Sequence, residues 1–221
     1  MSRAKQRDPE TVLKAPKEPS FQQDRARRSY HALLDAATEL FTAHGYDAIG
    51  TPEIAEKAGV SVGTFYRYFD DKHEVYIEIA RRSFQQAYSM TLEKLTPDRF
   101  IGKGRHETIA MTIEMLFAYV LESPKLTKSF NEMALRDPGV AELRHAFEQL
   151  AVSRLGTLIG LIIPRTVVPD PEATAFVLYG AAMQCAYTAA EHYGPPTIDV
   201  DRTKAALIAF IEAALFAASR S

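Results

Sequence analysis

Cysteine is almost missing from this chain: Cys185 stands alone among 221 residues. A single thiol excludes an intrachain disulfide, and its neighbours, Met183-Gln184-Cys185-Ala186, offer no metal-ligand spacing, so it reads as a buried apolar residue in a reducing cytosol. An excess of charge is missing too. The formal net charge of −2 gives no support to bulk polyanion binding. No apolar run of signal length opens the sequence, and none of about 18 residues spans without polar interruption or a dominance of alanine, so the expected setting is the cytosol, with no membrane partner. Catalytic grammar is equally thin. The six histidines (His31, His44, His73, His106, His145, His192) are scattered, and neither His-Glu-x-x-His nor a phosphate-cradling glycine loop occurs. No enzyme, cofactor or metal centre is expected.

What the chain does have is helix. The composition, 47% hydrophobic and 24% charged, is that of a globular protein with a real core, and no alternating strand pattern survives inspection. The most informative stretch is Thr51 to Lys72, TPEIAEKAGVSVGTFYRYFDDK. Thr51 can cap a helix with Pro52 in its first turn, where a missing amide hydrogen costs nothing, and Ile54, Ala55 and Ala58 share one face. Gly59 stops that helix and Val60 fills the turn. Ser61 can cap a second helix, Val62 to Phe69, whose small first-turn residues Gly63 and Thr64 leave its backbone open to close approach. Two short helices joined by a tight turn are the pattern of a helix-turn-helix, and a nucleic-acid groove is the natural visitor.

Around that motif the expected order is an all-α chain. Residues 1–22 hold too few large apolar groups to pack and are expected to be a disordered tail. Residues 23–70 form the DNA-binding domain, opened by a scaffold helix over 24–44 with Tyr30, Leu33, Leu34, Ala37, Leu40 and Phe41 at steps of three and four. Asp71 with Glu74 reads as a capping box at the head of a connecting helix over 71–95. Residues 96–221 then give five more helices, about 105–122, 124–135, 139–163, 171–193 and 200–219, separated by proline and glycine. The last two are apolar nearly all round and need burial on more than one face. Two such helices from each of two subunits would make an isologous four-helix bundle, which favours a homodimer.

The block from about Arg27 to Ala80 resembles the DNA-binding domain of the tetracycline-repressor (TetR/AcrR) family of bacterial transcription regulators. Leu40-Phe41, Gly45-Tyr46, Ile54-Ala55, Ala58-Gly59-Val60, Gly63, the run Phe65-Tyr66-Arg67-Tyr68-Phe69 and Lys72 carry the resemblance. It covers the first third of the chain; the rest is similar in being helical and of suitable length. The resemblance implies an N-terminal three-helix helix-turn-helix domain, followed by a larger helical domain for ligand binding and dimerisation. It further implies a dimeric repressor bound to double-stranded DNA at a pseudopalindromic operator and released by a small-molecule effector.

The resemblance also distributes roles. Thr51 matches a phosphate contact at a helix N-terminus. Ser61, Val62, Gly63 and Thr64 form the leading turn that meets base edges, Thr64 through its hydroxyl or methyl and Val62 through apolar contact alone. Tyr66 matches a phosphate-binding tyrosine, Tyr68 a backbone contact, and Lys72 a lysine that grips phosphate at the next helix start. Arg67 could read guanine or meet phosphate; both stay open. Phe65 and Phe69, four apart, belong to the core side. Arg25, Arg27 and Arg28 could follow the minor groove as an arm or form a solvated face. Local charge does not help, since residues 25–72 carry six lysines and arginines against seven acids. Any DNA contact must come from placed residues.

For an effector pocket the sequence offers flexible and aromatic lining at Met111, Met115, Tyr119, Phe130, Phe147, Tyr179, Met183, Gln184 and Tyr187, which suits a lipophilic or aromatic small molecule. The rival reading is a nucleoid-associated or protein-interaction factor of the same fold with no effector. A drug-sized cavity in the second domain separates the two.

Overall fold

The computed structural model describes residues 8–13, 24–97 and 103–216. They form ten α-helices in chain order: α1 Pro9–Leu13, α2 Asp24–His44, α3 Thr51–Lys57, α4 Val62–Phe65, α5 Lys72–Met90, α6 Arg105–Glu122, α7 Pro124–Ala134, α8 Pro138–Ile162, α9 Pro171–Ala189 and α10 Val200–Phe216. No strand occurs among the described residues. The protein is all-α, with a helix-turn-helix domain before a larger helical one.

The chain divides into two units. The first gathers the described residues up to Gln85 with Ser129–Ala146, and the second gathers Gln86–Lys128 with the described residues from Phe147 onward. Helices α5, α7 and α8 therefore each contribute residues to both.

In the first unit the core is built on α2. Its helical period buries Tyr30, Leu33, Leu34, Ala37 and Phe41, and these meet Ile54 and Ala55 of α3, Phe65 of α4, and Val75, Tyr76 and Ile79 of α5, all buried. Aromatic rings continue this core: Tyr30 stacks on Phe69 at 5.1 Å, and Tyr76 sits edge-on to Phe41, Tyr46 and Phe130 at 5.5, 5.1 and 5.7 Å. Burial pushes the Tyr76 phenol up to about 12 although its hydroxyl shares a 2.7 Å hydrogen bond with Ser129. Truncating a fully buried ring such as Phe65 costs about 3–5 kcal/mol, so this small unit depends on each of them.

Among the described residues, buried charge enters this unit at one place. Glu78, 5% exposed, accepts from Arg81 and Arg82, both at 2.8 Å, and the Arg82 guanidinium lies over the Tyr30 ring. Removing either arginine strips a buried carboxylate of a partner, which is costlier than losing an exposed pair such as Lys57–Glu39.

The second unit packs α6, α9 and α10 around one hydrophobic cluster that includes Ile113, Phe117, Ala175, Leu178, Met183, Leu207 and Ile211. The thiol of Cys185 is half-buried beside it, rather than fully buried as expected, and burial raises its pKa. Helices α9 and α10 each bury one face only. Phe176, Val177 and Phe210 point outward and are 57%, 59% and 52% exposed.

Several boundaries differ from the expected ones for local reasons. The expected disordered tail contains α1, where the Asp8 carboxylate accepts from the Thr11 amide and hydroxyl, and Leu13 is buried; the rest of residues 1–22 lies outside the described residues. Helix α5 ends at Met90 and gives way to a 3₁₀ turn, Leu92–Lys94, instead of running to Leu95. Helix α9 ends at Ala189 because Glu191 takes a positive φ of 59° and buried His192 turns back, its imidazole stacked on Tyr187 and bonded to Thr127. The expected end of the last helix at Ser219 lies outside the described residues.

Candidate nucleic-acid interface and ligand cavity

The turn between α3 and α4 is a Schellman motif. Gly59 at φ +68° donates to the Glu56 carbonyl and Val60 to that of Ala55, each at 3.0 Å, which satisfies the last carbonyls of α3 and reverses the chain at once. A side chain at residue 59 would be strained there. Ser61 follows as the cap of α4: its hydroxyl accepts from the Thr64 amide at 3.1 Å and meets the Thr64 hydroxyl at 2.9 Å. The start of α3 is a correction. Gly50, not Thr51, holds the cap position, with its amide donating to the Glu53 carboxylate at 3.2 Å, and Thr51 becomes the first helical residue. Its hydroxyl makes no hydrogen bond among the described residues.

Helix α4 is also shorter than expected. Regular helix covers only Val62–Phe65, and the chain then passes through a turn in which Tyr68 and Phe69 donate back to Phe65. The expected division into faces holds: Phe65 and Phe69 are buried, while Ser61, Val62, Gly63, Tyr66 and Arg67 are exposed together. Thr64 is half-buried. Tyr66 is 57% exposed, with its ring edge on Phe65. Arg67 makes no ion pair or hydrogen bond among the described residues. Tyr68 is half-buried, edge-on to Tyr30 at 5.9 Å.

Lys72 is placed differently from a free phosphate clamp. Its ammonium donates to the carbonyls of Ile49 at 2.7 Å and Tyr46 at 2.9 Å, with Asp47 at 3.5 Å and the Tyr46 ring centroid at 4.5 Å. All three donors point at the loop leading into Thr51. The same loop is held at Asp47 by Arg136, 2.8 Å away, and the next residue, Asp137, receives His73 at 2.7 Å while capping α8 through the Val140 amide. Burial works against the Asp137 carboxylate, yet the Val140 and His73 hydrogen bonds hold it below the usual range. Arg25, Arg27 and Arg28 are exposed within the first turns of α2, so they sit on a helix and not in an extended arm.

The second unit contains a cavity of about 470 Å³, within the range of small-molecule sites. Of the residues expected to line it, Met115, Phe147 and Tyr179 do so. Phe130 instead belongs to the first unit, against Tyr76 and Phe84. Met183 is buried in the hydrophobic cluster, Tyr119 and Tyr187 pack against that cluster, Gln184 is exposed, and Met111 is half-buried; none of them is among the lining. Most of the wall is aliphatic, from Leu92, Ile113, Leu116, Leu155 and Ile159 among others. Sequence reasoning missed it because a Leu/Ile wall has the same signature as a filled core. It also missed Lys103 and Arg105, which line the cavity from the start of α6.

Among the described residues no group of three His, Cys, Asp or Glu side chains could hold a metal, and no helix is long and apolar enough to cross a membrane.

Comparisons with known proteins bear on this arrangement. Residues 33–79 match the model of the bacterial regulatory proteins of the tetR family, a span holding α3, α4, most of α2 and the start of α5. The HTH-type transcriptional repressor KstR of Rhodococcus jostii is 37% identical over 153 residues, 69% of this chain and 64% of that protein. The fatty acid metabolism regulator protein of Bacillus subtilis is 26% identical over 136 residues, 62% of this chain and 67% of that protein. Among solved structures, a TetR-family transcriptional regulator from Mesorhizobium loti aligns with a TM-score of 0.69 at 23% identity, over 87% of this chain and 98% of that one, which speaks for the fold. A capped one-turn reading helix on an aromatic core, the family match across that unit and the relatives that extend beyond it lead to one assignment: this chain belongs to the TetR family of bacterial transcriptional regulators.

Proposed function

We propose that the protein is a homodimeric repressor that binds a pseudopalindromic operator and leaves it when a lipophilic small molecule fills the cavity of the second unit. The observation that carries the effector half of this reading is that cavity: about 470 Å³ of largely aliphatic wall in a domain that otherwise packs as a core. A nucleoid-associated factor without an effector has no use for such a space. The B. subtilis relative, by its name, regulates fatty acid metabolism, and a ligand with an aliphatic chain suits a wall of leucine and isoleucine.

DNA contact falls to the exposed strip of the helix-turn-helix. In this reading the α4 backbone at Ser61, Val62 and Gly63 approaches base edges with Thr64. Thr51 and Tyr66 donate hydroxyls to phosphates, Arg67 supplies the cation, and Tyr68 reaches backbone from its half-buried seat. Lys72 acts one step behind, holding the loop that presents Thr51. The outward Phe176, Val177 and Phe210 of α9 and α10 form the dimer seam, since exposed apolar groups of this size on neighbouring helices are what a second copy buries. Ligand binding that favours a dimer geometry unsuited to two successive major grooves lowers DNA affinity, and DNA weakens ligand binding by the same factor.

Selection of the purified protein against random duplex DNA tests the first half. Enrichment of a site with two-fold symmetry supports the reading, and the absence of any enriched site at low salt overturns it. For the second half, Leu158→Trp places a larger side chain at the half-buried cavity wall. The variant is expected to keep operator binding and lose release by aliphatic ligands. Unchanged release would separate the cavity from regulation.

A further inference from the structure

The charged groups among the cavity's described residues have one sign. No aspartate or glutamate is among the described lining residues, whereas Lys103 and Arg105 both are, from the segment that opens α6. Arg105 is exposed, packs its guanidinium over the Phe216 ring at 4.5 Å and has no carboxylate partner among the described residues. Phe216 lines the cavity as well, so the ring and the cation beside it belong to the same wall. Among the described residues Lys103 has two weak partners, the Met111 sulfur at 3.6 Å and Glu107 at 3.5 Å; the Glu107 side chain is 62% exposed, and neither partner is part of the lining. An exposed pair of that kind exchanges readily for a better anion. Elsewhere the wall is aliphatic or aromatic, relieved by Thr91, Thr108, Thr112 and Tyr179.

We infer that the ligand is an amphipathic anion: an aliphatic chain lodged among the leucines and isoleucines, with a carboxylate or phosphate head met by Lys103 and Arg105. This inference rests on the cavity being the effector site. Lipophilic cations are the class it excludes, because no carboxylate among the described lining residues can neutralise them and two positive side chains oppose them. A neutral chain of equal length would gain the apolar contacts and forgo the charge-assisted hydrogen bonds.

The test is displacement of a neutral fluorescent probe, N-phenyl-1-naphthylamine, from the full chain by four compounds that share a twelve-carbon chain: dodecanoate, dodecyl phosphate, dodecanol and dodecyltrimethylammonium. The anions are expected to displace the probe at concentrations about tenfold lower than dodecanol, one charged hydrogen bond's worth, with the cation weakest. Which of the two anions is tighter identifies a carboxylate or a phosphate head. In the double variant Lys103→Ala/Arg105→Ala, dodecanoate and dodecanol are expected to displace alike, and Lys103→Arg/Arg105→Lys is expected to restore the preference. Equal displacement by acid and alcohol in the native protein overturns the inference and leaves the cavity reading standing, as does a preference that survives the double alanine variant. Failure of the probe and all four compounds to bind overturns the cavity reading itself.

Discussion

Lys72 Nζ lies 2.7 Å from the carbonyl oxygen of Ile49, so the first residue of α5 ties down the loop that delivers the chain to α3. An ammonium has three donors, and here each has a backbone carbonyl within reach. Lys72→Met is therefore expected to lower stability by about 1–3 kcal/mol, the cost of leaving partly buried acceptors without a charged donor. Urea unfolding measures this. Operator affinity should fall with it, while the slope of log K against log salt stays that of the native protein. A slope smaller by about 0.9 would instead place Lys72 on a phosphate.

Arg67 and Tyr66 should separate from one another in the same titration. Arg67→Ala is expected to weaken binding to all duplexes and to reduce the salt slope by about 0.9, as the loss of one phosphate contact does. Tyr66→Phe removes a neutral hydroxyl and is expected to cost about 0.5–1.5 kcal/mol with no change in slope. If Arg67→Ala relaxes sequence preference at one base pair and leaves other sequences unaffected, the guanidinium reads a base.

Helices α9 and α10 supply a prediction about assembly. Phe176→Glu with Phe210→Glu puts two charges where apolar side chains are more than half exposed. The fold should survive, because the opposite faces of both helices carry the core. Sedimentation is expected to give a monomer, with operator affinity lost and single-half-site binding weak. A dimer that persists through both changes would move the interface elsewhere.

Asp137 links stability to pH. Its carboxyl is held low by the Val140 and His73 hydrogen bonds against the opposing effect of burial, so its contribution is fully present above the ordinary carboxylate value of 3.8. That contribution is lost as pH falls through the lower, folded-state value. Asp137→Asn is expected to destabilise the protein at neutral pH and to converge on the native protein in denaturation curves taken as pH falls below the depressed folded-state value. A constant difference across that range would mean that the asparagine loses something other than charge.

Much of the first unit was legible because its determinants are local. The steps of three and four from Tyr30 to Phe41 mark one helix face, and Ser61 three residues before Thr64 marks a cap, whatever surrounds them. The i and i+4 spacing of Phe65 and Phe69 likewise announced the buried side of the motif. Thr51 misled because a better cap lay one residue earlier: Gly50 takes the extended conformation and Glu53 reaches back to its amide. The second unit was harder for a different reason. Whether Phe130, Met183 or Tyr119 faces a void or a neighbour depends on residues a long way off in the chain, and nothing near Phe130 announces Tyr76. Nothing local marks Lys103 and Arg105, since the wall they join is assembled from α6, α8, α9, α10 and the segment after α5.

The brevity of α4 limits how much text the protein can read. One turn of regular helix, Val62–Phe65, exposes its leading edge and buries its last residue, so a single copy can interrogate only a few letters of a duplex. A genome offers about 10⁶–10⁹ competing positions, among which so short a word recurs constantly. In the homodimer proposed above, the vocabulary is lengthened by repetition. Two copies at fixed spacing square the odds that one copy offers, and addressing accuracy becomes a property of the gap between readers as much as of the reader.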